Sequence, residues 1–480
     1  MIATVFKIIS VVVGIVGLTF VIPIGTAVAC GETGVIASFA VPMAVSVLLA
    51  AGILFLTRKK GGQLTIRSSF AVVALSWICS SLMGAVPLYL SGAVPSVTGA
   101  VFESVSGFTT TGATNIDDIE ALPRSINLWR CQTHWLGGMG IVALTVALLP
   151  ILGVGGFQLI KAETTGPDKG KFTPKITTTA KTLWFIYFGM TLLHALLLFI
   201  VGMDVIDSFA HAFSSMGTGG FSTRGASIAA YDSPAIDLIC TVFMFLSGIN
   251  FTLYFYLFTG KFAEIRKDTE LKGYLFIVLL AGLMITLIEM GGFGSFLSSL
   301  RYSFFQVVSI LTTTGYGTWD YTEWKPASQM IILALFFIGG CAGSTGGGFK
   351  VIRWTVLAKQ LRNEVQRMLH PHGVFTIRIN DMPGRKDIVY NVAAFFFIYV
   401  ALVLLTAFAS CLAGMDVFTS VTGAASMVGN IGPAFNLLGP TCNCAGLPAI
   451  VKWVYCIAML AGRLEFYTIV IYFFPSYWKK

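Results

Sequence analysis

A short glycine-centred signature recurs four times in this 480-residue chain: Thr109-Thr110-Thr111-Gly112, Met216-Gly217-Thr218-Gly219, Thr312-Thr313-Thr314-Gly315 and Asn430-Ile431-Gly432. Each copy lies between two long apolar segments. The marker glycines are 107, 96 and 117 residues apart, an interval regular enough to read as four structurally equivalent units. Four equivalent loops on one side of a molecule can converge on a common axis.

Composition names the solvent. Apolar residues make up 56% of the chain, charged residues only 11%, and mean hydropathy is +0.82, whereas a soluble domain is about 25% charged. An integral membrane protein is expected. Spans of roughly 20 residues are needed to cross the hydrocarbon. They are read at about 3–23, 36–57, 69–92, 127–152, 182–203, 235–259, 273–291, 328–349, 388–413 and 448–474. The first segment is continuously apolar without a small-residue cleavage site, so a retained helix is expected rather than a signal peptide. The fold expected is an all-α polytopic membrane protein with four pseudo-symmetric helix/pore-loop/helix repeats around a central pore, plus two N-terminal transmembrane helices. The units are read as 1–68 (helix pair), 69–157, 158–260 and 261–350 (repeats 1 to 3), 351–387 (basic linker) and 388–480 (repeat 4).

Basic residues set the orientation. With the N-terminus inside, the inner loops and the C-terminal end carry 23 Lys and Arg, among them Arg58, Lys59, Lys60, Arg67, Lys161, Lys169, Lys171, Lys175, Lys181 and the eight from Lys350 to Lys386. The outer side carries four: Arg124, Arg224, Arg301 and Lys325. Both termini are therefore expected in the cytoplasm. The net charge of +9 is accounted for by the anionic inner leaflet, with no nucleic acid required. The outer side also carries 13 acids, including Glu32, Glu103, Asp117, Asp118, Glu120, Asp207, Asp237, Glu289 and Asp416. Such a mouth concentrates cations.

The remaining chemistry is sparse. Six cysteines fall in spans, and Cys30, Cys442 and Cys444 fall outside without a metal-ligand spacing. His194 and His211 are read as lacking a nucleophile or acid nearby in sequence, His134, His370 and His372 as serving packing and hydration, and no phosphate-binding glycine loop is present. No enzyme activity, catalytic residue or organic cofactor is expected.

The segments before each glycine, such as 95–108 and 302–311, are too short to span and long enough for re-entrant half helices. Irregular backbone at membrane depth is tolerated only where protein or water surrounds it. Glycine lets carbonyls turn inward, and a carbonyl ring replaces the water shell of a monovalent cation, K⁺ rather than a divalent ion. A second feature is the run Gly339-Gly340-Cys341-Ala342-Gly343-Ser344-Thr345-Gly346-Gly347-Gly348. Each glycine in a helix costs about 1 kcal/mol relative to alanine, so the helix should break there; close packing through small residues is the alternative. A third is Arg463, a charge inside the last apolar span. Glu465, two residues on, would face elsewhere on a helix, and snorkelling to the inner surface is the alternative. Lys350 has the same two readings.

These motifs resemble the TrkH/KtrB/HKT superfamily of potassium transporters, and in particular its bacterial TrkH branch. The matching stretches are Ser106-Gly107-Phe108-Thr109-Thr110-Thr111-Gly112-Ala113-Thr114, Trp135-Leu136-Gly137-Gly138-Met139-Gly140, Ala162-Glu163-Thr164 with Gly166-Pro167, and Met216 to Thr223. Thr312 to Gly317 and Gly343 to Gly348 continue the match. The resemblance implies a K⁺ selectivity filter built from Thr110, Thr111, Gly112, Thr218, Gly219, Thr313, Thr314, Gly315, Asn430, Ile431 and Gly432, with K⁺ bound by backbone carbonyls. The fourth copy departs most, through Asn430-Ile431 and Pro433. It further implies a gate formed by Gly343, Ser344, Thr345, Gly346, Gly347, Gly348 and Lys350, and a pore arginine at Arg463. A homodimer in a bacterial inner membrane, on a cytosolic nucleotide-binding (RCK-type, peripheral Trk) regulatory subunit, is the implied assembly. The basic segment 350–387 would meet that partner or anionic lipid. A K⁺ symporter coupled to H⁺ or Na⁺ is the alternative, against which the scarcity of carboxylates in the spans counts.

Overall fold

The computed structural model describes residues 2–58, 65–140, 176–380, 382–383 and 386–478. It opens with α1 (Ile2–Thr19) and α2 (Val21–Ala29), which form one apolar stretch over Ala3–Ala29, and returns through α3 (Thr33–Thr57). These helices touch backbone-close, since a Cβ on Gly17 would lie 1.8 Å from Ser46 Oγ. The pair docks on the first repeat through Phe20 and Phe39, whose ring centroids stand 4.6 and 6.4 Å from that of Trp129.

Repeat 1 comprises α4 (Ile66–Leu90), α5 (Val97–Phe108) and α6 (Arg124–Gly138). Repeat 2 holds α7 (Ile176–Ile200), α8 (Val205–Gly217), α9 (Pro234–Ser247) and α10 (Phe251–Phe258). A short α11 (Phe262–Lys267) leads into repeat 3, with α12 (Thr269–Ile288), α13 (Phe296–Leu311) and α14 (Pro326–Leu335). Next come α15 (Val351–Leu369) and a two-residue antiparallel ladder pairing Arg378–Ile379 with Met382–Pro383. Repeat 4 contains α16 (Lys386–Leu412), α17 (Val417–Gly429) and α18 (Ala449–Arg463), followed by α19 (Tyr467–Val470) and α20 (Pro475–Trp478).

The second helix of each repeat, α5, α8, α13 and α17, has 12, 13, 16 and 13 residues. At 1.5 Å per residue these reach about 18–24 Å, short of the roughly 30 Å hydrocarbon. Their starts share one device. Ser96, Asp204, Ser295 and Asp416 each accept a backbone N–H from the first turn of their helix.

Three expected spans are corrected. The span 235–259 breaks at Gly248–Asn250, where α9 and α10 meet at 93°, and 448–474 breaks after Arg463 with a bend of 110°. Glu465 and Phe466 take the left-handed region there, with φ of 57° and 38°, which no straight helix allows. The span 328–349 is helical only over Pro326–Leu335, because the glycine run that follows is irregular. Among the described residues six helices are long and apolar enough to cross a membrane, or up to eight if each bent pair is one span. The span 127–152 begins as α6 and passes outside the described residues at 141, as do the 162–167 motif and Lys161, Lys169, Lys171 and Lys175.

Candidate functional site

Four helix ends build the site, and they end alike. The backbone N–H groups of Thr111, Gly219, Thr314 and Ile431 donate to the carbonyls of Ser106, Ser214, Ser309 and Ser426 at 2.8–2.9 Å. One residue earlier, Thr110, Thr218, Thr313 and Asn430 donate to Gly107, Ser215, Ile310 and Met427 at 3.0–3.3 Å. This is the Schellman pairing, which requires a left-handed residue just past the helix. Thr110, Thr218, Thr313 and Asn430 supply it with φ of 56°, 54°, 59° and 55°. Non-glycine residues there cost of order 1–3 kcal/mol each and persist only where the surroundings enforce them.

That common cap fixes the register, and it corrects one residue. The positive-φ glycine two places after the left-handed residue is Gly112, Gly220, Gly315 and Gly432, with φ of 81°, 81°, 82° and 99°. Gly219, the sequence marker of repeat 2, is instead the counterpart of Thr111. Two adjacent glycines follow Thr218, and the Thr-Gly pattern selects the first.

The four glycines form a closed cycle. A Cβ on Gly112 would stand 1.9 Å from the carbonyl oxygen of Gly219, on Gly220 2.1 Å from that of Thr314, on Gly315 2.3 Å from that of Ile431, and on Gly432 2.4 Å from that of Thr111. Each repeat thus meets the next, and the fourth meets the first. Gly112, Gly220, Gly315 and Gly432 all line one open vestibule, together with Ser222, Arg224, Pro433, Cys442 and Asn443.

On the opposite side the glycine run presses against the helix ends. A Cβ on Gly346 would lie 2.9 Å from the Thr312 carbonyl oxygen, and on Gly347 2.7 Å from that of Gly429. Gly347 N–H donates to the Thr313 hydroxyl at 2.6 Å, and Thr345 Oγ1 donates to the Ser247 carbonyl at 3.2 Å. The break between α9 and α10 makes room: Cys341 N–H donates to the Gly248 carbonyl and Phe251 N–H to that of Gly343. Lys350 Nζ folds back onto the Gly346 carbonyl and is 2% exposed, so it does not snorkel.

Arg463 reaches the same loop. Its Nη1 donates to the Thr345 carbonyl at 2.8 Å, and its Nη2 to those of Gly137 and Gly138 at 2.7 and 2.9 Å. Glu465, past the helix end at Arg463, pairs instead with Arg353 on α15. Arg353 is buried, which removes one of the basic residues read as facing lipid or a partner.

Several residues escaped the sequence reading. Glu270 on α12 is buried and its Oε1 accepts both Ala342 N–H, at 2.7 Å, and Ile352 N–H, at 3.0 Å, so one carboxylate holds both sides of the loop. Asn430, read from the sequence as a filter residue, has a further side-chain role that the sequence did not show: its Nδ2 bridges Thr111 Oγ1 and the Met459 carbonyl at 3.0 and 2.9 Å, tying repeat 4 to repeat 1 and α18. His134 stacks on Phe221 at 4.2 Å and contacts Ser214 Oγ at 2.8 Å, directly behind loop 2. Arg130, a charge within an apolar span, carried a readable signal; the others carried none.

The acid count also changes. Glu103, Asp207, Asp237 and Glu289 are buried and bonded to Arg130, Arg224, Arg301 and Lys325 N–H respectively. They leave Asp117, Asp118 and Glu120 among those exposed on the face read from the sequence as outer. Carboxylates inside the molecule are therefore less scarce than the sequence reading held.

Comparison with known proteins gives the chain a family and a matching overall fold. The family profile for TrkH, described as a cation transport protein, matches residues 36–480. The chain is 39% identical to the Trk system potassium uptake protein TrkH of Halomonas elongata over 99% of both sequences, and 38% identical to that of Escherichia coli K12 over 88% of each. The crystal structure of the potassium transporter TrkH from Vibrio parahaemolyticus superposes with a TM-score of 0.89, covering 100% of both chains at 34% identity.

Proposed function

This chain belongs to the TrkH family of cation transport proteins, and from that premise we propose that it takes up potassium ions through the ring of four loops. The observation that carries the reading is the cyclic contact of Gly112, Gly220, Gly315 and Gly432 with Gly219, Thr314, Ile431 and Thr111. A closed ring of backbone leaves carbonyl oxygens as the ligands for a dehydrated monovalent cation. The names of the relatives, potassium uptake proteins, support K⁺ as cargo. In this reading the filter comprises Thr110-Thr111-Gly112, Thr218-Gly219-Gly220, Thr313-Thr314-Gly315 and Asn430-Ile431-Gly432. The repeats are the units 69–157, 158–260, 261–350 and 388–480.

The loop Gly343 to Gly348, with Lys350, is the gate. It closes the inner end of the ring because Gly346 and Gly347 occupy the space directly under Thr312 and Gly429. Arg463 holds the loop through Thr345 and adds a positive charge on the cation path. K⁺ moves inward down the membrane potential, worth about 2.3 kcal/mol per charge per 100 mV. The excess of basic residues on one side favours cytoplasmic termini in a bacterial inner membrane. A homodimer on a nucleotide-binding cytosolic subunit, meeting α15 and the ladder after it, is the assembly that fits the Trk system naming.

A coupled symporter keeps one observation in its favour, the buried Glu270 at the loop. The test for both is radioactive Rb⁺ uptake into proteoliposomes under an inside-negative potential, without H⁺ or Na⁺ gradients. Uptake that K⁺ inhibits better than Na⁺, and that Gly315→Ser makes unselective, supports the filter. Uptake only when a proton or sodium gradient is imposed supports coupling.

A further inference from the structure

Beyond the ring, a second circle of contacts joins the repeats in pairs. Tyr316 of repeat 3 donates its hydroxyl to the His211 and Phe221 carbonyls of repeat 2, at 3.2 and 3.4 Å. Tyr321 donates to the Ala434 carbonyl of repeat 4 at 2.6 Å, and Cys444 N–H of repeat 4 donates to the Thr114 carbonyl of repeat 1 at 2.8 Å. Repeats 1 and 2 are joined differently, through Arg130, which is ion-paired within repeat 1 and reaches across to Phe221 and Ser222 of repeat 2.

Arg130 on α6 and Glu103 on α5 have side chains only 1% exposed, and both Nε and Nη2 of Arg130 lie 2.8 Å from Glu103 Oε1. The pair grips the strand that leaves the ring in repeat 1. Glu103 accepts from Asn115 N–H at 2.6 Å and from the Thr114 hydroxyl at 3.0 Å, while Arg130 Nη2 donates to that hydroxyl at 3.1 Å. Arg130 Nη1 also reaches across to the Ser222 carbonyl of repeat 2 at 3.4 Å, and its guanidinium lies 4.4 Å from the centroid of the Phe221 ring. Phe221 and Ser222 directly follow Gly220.

The pair is confined to one repeat. Glu103 sits three residues before Ser106, and the same place before Ser214, Ser309 and Ser426 is taken by His211, Gln306 and Gly423. Burying two charges is expensive, and apolar residues of similar volume are often at least as stabilising. Such a pair is better suited to fixing a geometry than to raising stability. Here the geometry is the separation of two ring strands, and carbonyl position decides how well a smaller ion is rejected.

We propose that Arg130 and Glu103 are a positioning pair that sets discrimination between K⁺ and Na⁺ by holding the exit strands of repeats 1 and 2 at a fixed spacing. The inference rests on the reading of the four loops as the filter. Glu103 also cancels the Arg130 charge beside the vestibule that Arg130 helps to line.

The test measures the ratio of Na⁺ to K⁺ concentrations that half-inhibit Rb⁺ uptake, in wild type, Gly315→Ser, Arg130→Lys and Thr114→Val. All are first checked as monodisperse, folded protein. Lysine keeps the charge but not the fork of donors, and Thr114→Val removes the hydroxyl that both partners bond while leaving the pair. Arg130→Lys is expected to lower the ratio by about tenfold and Thr114→Val by about threefold, the order that losing hydrogen bonds to a charged group produces. If Arg130→Lys does not fold, Thr114→Val decides alone. A wild-type ratio in the folded variants, with a lowered one in Gly315→Ser, overturns the positioning pair and leaves the filter standing. An unchanged ratio in Gly315→Ser removes the filter reading and the pair with it.

Discussion

A Cβ on Gly432 would stand 2.4 Å from the carbonyl oxygen of Thr111, so the fourth repeat meets the first nearly as closely as the other repeats meet one another, at 1.9–2.3 Å. The fourth loop looks the most degenerate in sequence, with Asn430-Ile431 in place of threonines. Its backbone nevertheless follows the other three, and Asn430 takes the left-handed residue at φ 55°.

Gly432→Ala is therefore expected to damage selectivity as much as Gly315→Ala does. Both place a Cβ into a neighbouring carbonyl at a φ that costs of order 1–3 kcal/mol for an L residue. Competition of Na⁺ with Rb⁺ uptake reads this directly. A Gly432→Ala protein that discriminates like wild type would take repeat 4 out of the ring.

Much of this was legible because glycine and charge are conspicuous in an apolar chain. The four loops, the helix break at Gly339 to Gly348 and the significance of Arg463 all follow from residues that are costly where they stand. The register of repeat 2 was not legible, since Gly219 and Gly220 are interchangeable letters until the Schellman cap places Thr218. The bends after Ser247 and Arg463 were also hidden, as Gly248 and Gly462 sit in stretches whose hydropathy reads as continuous. Partners such as Glu270 with Ala342 and Arg353 with Glu465 link residues 72 and 112 positions apart, which no local pattern reports.

Arg463 donates to Thr345 in the loop and to Gly137 and Gly138 on α6, so it ties the loop to the end of α6. Arg463→Gln should raise resting Rb⁺ flux by about tenfold or more, since a unit charge about 4 Å from a cation costs roughly 4 kcal/mol at an effective dielectric of 20. Shortening the loop within 343–348 should act in the same direction. Flux unchanged in both would separate this loop from gating.

Glu270→Ala removes the acceptor shared by Ala342 and Ile352. Hydrogen bonds to a charged group contribute about 1.5–3 kcal/mol, so a lowered unfolding temperature is expected together with faster hydrogen exchange at those two amides. Resting flux should rise with it. Protection of both amides at wild-type level would show that the loop is held by other contacts.

Cys442 and Cys444, in the loop before α18, differ in environment. Cys442 is exposed, whereas Cys444 is buried and burial pushes its thiol up to about 12. The thiolate is the reactive form, so at pH 8 a membrane-impermeant maleimide added outside should label Cys442 quickly and leave Cys444 untouched. Reactivity at Cys444 should grow only as pH approaches its raised value. Labelling of Cys442 only after the cytoplasmic face is opened would invert the proposed orientation.

The most direct measurement is the anomalous diffraction of Rb⁺ soaked into crystals of the protein. The account predicts Rb⁺ density on the axis of the ring, enclosed by the strands Thr110 to Gly112, Thr218 to Gly220, Thr313 to Gly315 and Asn430 to Gly432, and lost from crystals grown in Na⁺ alone. Ordered Rb⁺ elsewhere in the protein, with none inside that ring, would contradict it.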